Sequence, residues 1–381
     1  MLFASNGALF ASLLPWYPML ADRLSLSPGQ FGLVVACYAV GAVASSAVPP
    51  RLIARWGPVP VSVVGSVVLA VAIAAVAWVP SGAFFALALF GVGVADAVVD
   101  VAQNVAGVRV QDAAGRSVLS SMHALWSLGG MVAGAAATAS AAARTDMRLH
   151  LVVVAVVGIV LVAVGGSLIG RVADSPPDGA GADAPTAAGH PRWRPALVLA
   201  VPLVAVAVCG TVVEDVANNW AGVSGVRLAG LDADVAGIAF TVAIGSQCVG
   251  RFTGDLLIGR RGPARVARLG GTLIAVGGLL VATATGPVPL FVGFALAGYG
   301  SATLVPSALG AAARLPGIGQ GAGVTIVSWL MRIGFLATSP VIGAVADAVG
   351  LRWGMVVLVL SGVTVVAVCG SLDRSRSDQG R

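Results

Sequence analysis

The sequence predicts an all-α integral membrane protein whose twelve transmembrane helices form two parallel-repeat six-helix halves. Three observations lead there. Hydrophobic residues make up 58% of the 381 and charged residues only 10%, at a mean hydropathy of +0.96. An ordinary soluble protein carries about 25% charged residues, so this chain could not cover its own surface in water. Apolar runs broken by Arg, Asp, Pro or Gly recur along the whole length, each near the ~20 residues that carry a helix across a bilayer. Finally, Leu52-Ile53-Ala54-Arg55-Trp56-Gly57-Pro58 recurs as Leu257-Ile258-Gly259-Arg260-Arg261-Gly262-Pro263, 205 residues further on.

The spans follow in order. The first, 2–21, lacks the basic segment and small-residue cleavage site of a signal peptide, so it reads as a span. The next five lie near 29–49, 59–79, 83–106, 117–141 and 149–170. Residues 172–194 contain Ser175-Pro176-Pro177-Asp178-Gly179 and a Gly/Ala/Asp-rich stretch, which read as a linker. The second set lies near 195–219, 233–256, 266–286, 289–312, 320–345 and 352–371. The expected domains are therefore an N-terminal half, 1–171, the linker 172–194, a C-terminal half, 195–371, and a polar tail, 372–381. The same offset of 205 also maps Gly32 to Gly237, Gly93 to Gly298 and Gly129 to Gly334.

Orientation follows from arginine, the only basic residue type besides histidine in the chain. With the N-terminus inside, 15 arginines fall on the cytoplasmic side, including Arg51, Arg55 and Arg109, and 5 on the other. That bias places both termini and the linker in the cytoplasm, with the chain in the plasma (inner) membrane. The net charge of +6 does not point to nucleic acid, because the arginines form no basic run and no aromatic interleaving. Cys37, Cys209, Cys248 and Cys369 are far apart in apolar stretches, with neither metal-ligand spacing nor a disulfide framework. No metal and no cofactor are expected.

Charge at bilayer depth costs about 2.5–3.5 kcal/mol on insertion scales, so each intramembrane ionisable residue needs a reason. Spans 3, 6, 9 and 12 carry none away from their ends, whereas Asp96, Asp100, His123, Glu214, Asp215, Arg251 and Arg332 fall within other spans. In a parallel-repeat transporter every third span is peripheral, and this distribution fits one. Asp96, Asp100 and Asn104 are four apart and share one helical face, at about 6 Å per step. Two neighbouring carboxylates suit a proton carrier. A metal site of the DxxxD kind would need a second acidic motif, which the sequence lacks. A structural hydrogen bond to another helix is an equally good reading for one of the two acids. His123 and Asp100 lie at matching depth, although a histidine bonded to a backbone carbonyl is as frequent.

Glu214, the only glutamate, precedes Asp215, Asn218, Asn219 and Trp220. Glu214 and Asn218 share a face and read as lining a cavity, while Asp215 and Asn219 read as a solvated rim. Arg332 lies too deep to snorkel, so it needs a carboxylate partner or an anionic substrate.

These residues resemble the major facilitator superfamily across essentially the whole chain. Pro50-Arg51-Leu52-Ile53-Ala54-Arg55-Trp56-Gly57 is similar to its signature after span 2, with Arg55 and Gly57 at the Arg and Gly positions, but Ala54 where an Asp is expected and Pro50 where the opening Gly is. Gly250-Arg251-Phe252-Thr253-Gly254-Asp255, Glu214 through Trp220, the His-x-x-Trp-Ser-Leu-Gly of span 5 and Gly298-Tyr299-Gly300 to Pro306 resemble its fucose-permease-like branch. The resemblance implies a secondary active transporter of a small polar solute, a sugar or related organic molecule, working by alternating access as a proton-coupled monomer in the lipid bilayer. It implies substrate contacts at Trp126, Glu214, Asn218, Trp220, Tyr299 and Arg332, proton coupling through Asp96, Asp100 and His123, and a cytoplasmic gate at Arg55, Gly57, Arg251 and Asp255. Span 5 lacks the Gly-Pro signature of antiporters, which disfavours the alternative of a multidrug or metabolite exporter. A non-transporting membrane sensor on the same fold is a further alternative. An enzyme is not expected, since no nucleophile–base or metal constellation appears.

Overall fold

The computed structural model describes residues 1–114, 119–169, 193–312, 315 and 320–373, and among them every regular element is a helix. The linker up to residue 192 and the tail from 374 lie outside the described residues. The first span is broken. Helix α1 (Leu2–Leu13) passes through a 3₁₀ turn, Leu14–Trp16, into α2 (Tyr17–Arg23), because Pro15 and Pro18 have no N–H to donate and cannot continue the α ladder. Ser27 then starts α3 (Pro28–Ala44) with a reciprocal cap, its Oγ accepting from the Gln30 N–H while its own N–H donates to Gln30 Oε1. A bend of 51° leads into the short helix α4 (Val48–Trp56). It is followed by α5 (Pro58–Ala75), α6 (Gly82–Ala114), α7 (Leu119–Ala142) and α8 (Met147–Ile169).

Helix α9 (Trp193–Asp215) runs through a π turn, Val216–Trp220, into α10 (Ala221–Ala229). Beyond it come α11 (Gly237–Arg261), α12 (Pro263–Ala282), α13 (Pro287–Ser301), α14 (Leu304–Ala312), α15 (Gln320–Val349), α16 (Leu351–Gly354) and α17 (Val356–Val368). Nine of the described helical stretches are long and apolar enough to cross a membrane, and the bent pair α3–α4 makes a tenth. The other two of the twelve are the broken first span and α11, whose Gln247, Arg251, Asp255, Arg260 and Arg261 lower its hydropathy. Several spans outrun their expected ends, most of all the fourth, which reaches Ala114, and the seventh, which reaches Ala229.

Contacts divide the chain into two compact units, Met1–Ala180 with Leu231–Thr241, and Gly181–Gly230 with Val242–Arg381. In the first, α1 packs on α7 and α8, α3 on α6, and α5 on α6 and α8. The start of α11 belongs with it. Thr241 Oγ1 shares a 3.0 Å hydrogen bond with Thr138, and Arg144 pairs with Asp234 at 3.4 Å. In the second unit, α9 packs on α14, α15 and α17, and α12 on α13 and α17.

The internal repeat is visible in the backbone. Gly57 and Gly262, 205 apart, both take φ 81°, with ψ 161° and 156°, at the turns that start α5 and α12. Only glycine adopts this conformation readily. A side chain at Gly93 would collide with the carbonyl of Tyr38, and one at Gly298 with the carbonyl of Ala243. Both members of that contact shift by 205, so the two halves bring their helices together through the same close approach.

Candidate functional site

In the first unit, close backbone approach assembles a polar cluster from four helices. A side chain at Gly7 would meet the Trp126 carbonyl, so α1 and α7 touch backbone to backbone there. This sets Asn6 beside Trp126. The Gly93 contact does the same for α6 and α3, and sets Asp96 beside Tyr38. Asn6 Nδ2 donates to Asp96 Oδ1 at 3.0 Å, and the Tyr38 hydroxyl to Asp96 Oδ2 at 2.5 Å. Trp126 Nε1 donates to Asn6 Oδ1 at 2.7 Å, which fixes the amide so that its NH2 faces the carboxylate. Each Asp96 oxygen thus accepts from a neutral donor, and among the described residues no arginine pairs with it. Gln103, about two turns further along α6, is buried and donates to the Leu2 carbonyl at 3.1 Å.

Asp100 and Asn104 are arranged differently. Asp100 is exposed and accepts from Asn104 Nδ2 at 3.1 Å along the same helix. The two acids of the expected pair share a face of α6 but differ in exposure, Asp96 half-buried among neighbouring helices and Asp100 exposed one turn on. The His123 side chain lies outside those described, so its expected meeting with Asp100 has no geometry here.

The second unit holds two polar clusters on either side of the α9 backbone. Arg251 of α11 donates to Glu214 Oε1 at 2.8 Å, and Gln247, one turn earlier, lies 3.4 Å from both that oxygen and Ser301 Oγ. The Glu214 and Arg251 side chains are 19% and 34% exposed, so the pair is reachable from outside the unit's core. The Tyr299 hydroxyl shares a 2.9 Å hydrogen bond with Thr253 Oγ1. Arg251 was expected at a gate with Asp255. Its guanidinium pairs with Glu214, and Asp255, one turn on along the same face of α11, is exposed.

The other cluster is sealed. Ser339 Oγ donates to Asp215 Oδ2 at 2.5 Å and accepts from Trp220 Nε1 at 3.0 Å, while Asn219 Nδ2 donates to Asp215 Oδ1 at 2.8 Å. Asp215 is 4% exposed and Trp220 fully buried. The expected solvated rim is thus an interior tie between the π turn and α15. The reason is that the helix continues through α10, carrying these residues inside the span. Trp220, expected to contact substrate, holds helices together instead. Asn218 is half-buried. Arg332 and Trp329 of α15 are exposed, and among the described residues Arg332 makes no ion pair. Arg55 is exposed and stacks over Trp56, 5.4 Å from the ring centre. Sequence reasoning missed Asn6, Tyr38, Gln247 and Ser339. Asn6 and Gln247 carried the one usable signal, an amide in the middle of an apolar span.

No group of three or more His, Cys, Asp or Glu side chains is placed to hold a metal among the described residues. The sequence model of the Major Facilitator Superfamily matches residues 1–225. An uncharacterized MFS-type transporter of Yersinia pestis is 26% identical over 98% of this chain and 94% of its own. An uncharacterized transporter of Sinorhizobium fredii, y4wD, is 28% identical over 92% and 90%. Among solved structures, the nucleoside transporter NupG superposes with a TM-score of 0.72 at 14% identity, over 98% of both chains. The D-xylose-proton symporter superposes at 0.71, also at 14% identity, over 97% and 95%. These last two likenesses are of fold.

Proposed function

This chain belongs to the major facilitator superfamily and is a multi-pass membrane transporter of a small molecule, and from that premise we propose that it moves a small polar solute, a sugar or related molecule, by proton-coupled alternating access. The observation that carries the coupling is the setting of Asp96. A carboxylate inside a span and held only by neutral donors can take up and release a proton without breaking an ion pair. Tyr38 and Asn6 then sense the change, since a protonated Asp96 no longer accepts at both oxygens, and Asn6 passes it to Trp126 on α7. Asp100 and His123 remain the next candidates along the same route. In the second unit, Glu214, Arg251 and Gln247 with Tyr299 offer donors and acceptors to hydroxyl groups, with Asn218 and Arg332 as further contacts. Arg55 and Gly57 serve the gate at the end of the bundle where α4 meets α5. The protein works as a monomer in the plasma membrane with both termini in the cytoplasm.

Proteoliposomes with an alkaline interior, offered labelled sugars, sugar acids and nucleosides, test the reading. Accumulation of one class is expected, and Asp96→Asn is expected to abolish pH-driven accumulation while leaving substrate exchange, because Asn keeps the shape and loses the titration. Undiminished uptake in the double variant Asp96→Asn, Asp100→Asn would move the coupling to Glu214. Labelling single cysteines within 172–194 from outside intact cells is expected to fail, and success would reverse the orientation.

A further inference from the structure

An arginine deep inside a span is met either by a carboxylate of the chain or by an anion from outside it. At 1.5 Å per residue, Arg332 lies about 18 Å from the start of α15 and about 26 Å from its end. The first kind of partner is absent around it. The one acid of α15, Asp347, stands 15 residues further on. Across the unit, Glu214 is taken by Arg251, and Asp215 by Asn219 and Ser339. Among the described residues Arg332 has neither an ion pair nor a hydrogen bond.

Its place on the helix is as informative as its lack of a partner. Ser339, seven residues on and so on the same face, is tied to Asp215 and Trp220. Arg332 therefore stands on the side of α15 that meets α9. Trp329, three residues back, is its neighbour on the helix surface and is 57% exposed. An indole and a guanidinium thus stand side by side, both uncovered within the unit.

Charge sets the valence of the anion. Glu214 and Arg251 cancel each other at 2.8 Å, so Arg332 supplies a single positive charge. A carboxylate brings one negative charge, whereas a phosphate ester brings about two. A guanidinium also matches a carboxylate geometrically, through two parallel hydrogen bonds.

On the premise of the transport reading above, we propose that the solute is a sugar acid, its carboxylate held by Arg332 and a ring face laid on Trp329. Two measurements on the full-length protein test this. In detergent, thermal shifts report binding of D-glucuronate, D-galacturonate, D-gluconate and D-galactonate against D-glucose, D-galactose and glucose 6-phosphate. In proteoliposomes, uptake of the same labelled compounds is followed. At least one acid is expected to bind about tenfold more tightly than its neutral parent and than glucose 6-phosphate. Arg332→Gln should remove that preference, lowering affinity for the acid about tenfold and leaving the neutral sugar unchanged. Arg332→Lys should keep part of it, because the charge stays and the planar fork is lost. Trp329→Ala should weaken acid and neutral sugar alike, and Arg227→Gln, on α10, should change neither. Unfolding temperatures of the unliganded variants check that each is folded.

Equal binding of acids and neutral parents would overturn the proposal, as would binding of none of the four acids. So would a preference that survives Arg332→Gln or falls equally with Arg227→Gln. Tighter binding of glucose 6-phosphate would make this a phosphate site and overturn it too. An acid bound through Arg332 but never taken up would sink the transport reading and leave the anion site standing. Uptake of a neutral sugar or a nucleoside, with no acid bound, would do the reverse.

Discussion

The two units share a scaffold and differ in where they put their polar groups. Gly93 against Tyr38 and Gly298 against Ala243 are the same contact, and Gly57 and Gly262 the same turn. Yet Asp96 corresponds to Ser301, Tyr38 to Ala243 and Trp126 to Met331, so the first unit's carboxylate cluster has no copy in the second. The second has built its own on α9, with Glu214 paired to Arg251 on one side and Asp215 tied to Ser339 on the other. Helix packing constrains the glycines in both halves, whereas the polar side chains have diverged, and shared positions therefore report on folding.

Variants of the shared positions should have the largest effect. Gly93→Val and Gly298→Val each force a side chain into a backbone carbonyl. Each is expected to cost about 1–3 kcal/mol or to prevent assembly, read as a lowered unfolding temperature of similar size in the two variants. A mild effect in one half alone would show that the repeat no longer bears equal weight.

Next come the unshared charges. Glu214→Gln leaves Arg251 half-buried without its carboxylate, and uptake (kcat/KM) should fall about tenfold. The double variant Glu214→Gln, Arg251→Gln should be no less thermally stable than the single one, since it leaves no lone charge. Additive losses in stability would mean that each group acts alone. The sealed cluster should behave in the opposite way. Ser339→Ala removes donor and acceptor from Asp215 and Trp220 and should cost about 1–3 kcal/mol of stability, while the KM for transport changes less than twofold. A large KM change there would place Asp215 in contact with solute. The smallest effect is expected for Arg144→Gln. Its partner Asp234 is 3.4 Å away and the arginine side chain is 85% exposed, so thermal unfolding should shift by no more than about 0.5 kcal/mol equivalent.

Much of this was legible in the sequence, for identifiable reasons. Hydropathy and the recurrence of Leu52–Pro58 depend on local residues, and they gave the spans and the repeat. Asp96 was legible because an acid in an apolar run is conspicuous. Its partners were not, since Asn6 and Tyr38 are 90 and 58 residues away and nothing local marks their meeting. The misreading of Asp215, Asn219 and Trp220 has one cause. Four polar or amphipathic residues within 214–219 looked like the end of a helix, and only the π turn and Ser339, 124 residues on, keep them inside. Arg251 was assigned by resemblance to a gate, and its pairing with Glu214, 37 residues away, has no local mark in the sequence.

The π turn also records how the halves diverged. In the first half Gly7 meets the Trp126 carbonyl, and in the second Thr211 donates to the Met331 carbonyl at 3.0 Å. Trp126 and Met331 are 205 apart, but Gly7 and Thr211 are 204 apart. Likewise Gly129 meets the Ala4 carbonyl where Gly334 meets that of Val208, again a spacing of 204 on the first helix. By Gly32 and Gly237 the spacing is 205. The second copy is therefore one residue longer between these landmarks, and a π turn is how a helix absorbs an extra residue without losing its course. An inserted residue would otherwise rotate everything after it by about 100°. Confined to Val216–Trp220, the extra residue leaves Asn219 beside Asp215 and brings Trp220 to the same Ser339 hydroxyl. The second half thus holds a buried anchor that has no copy in the first, with the glycine contacts common to both still in place.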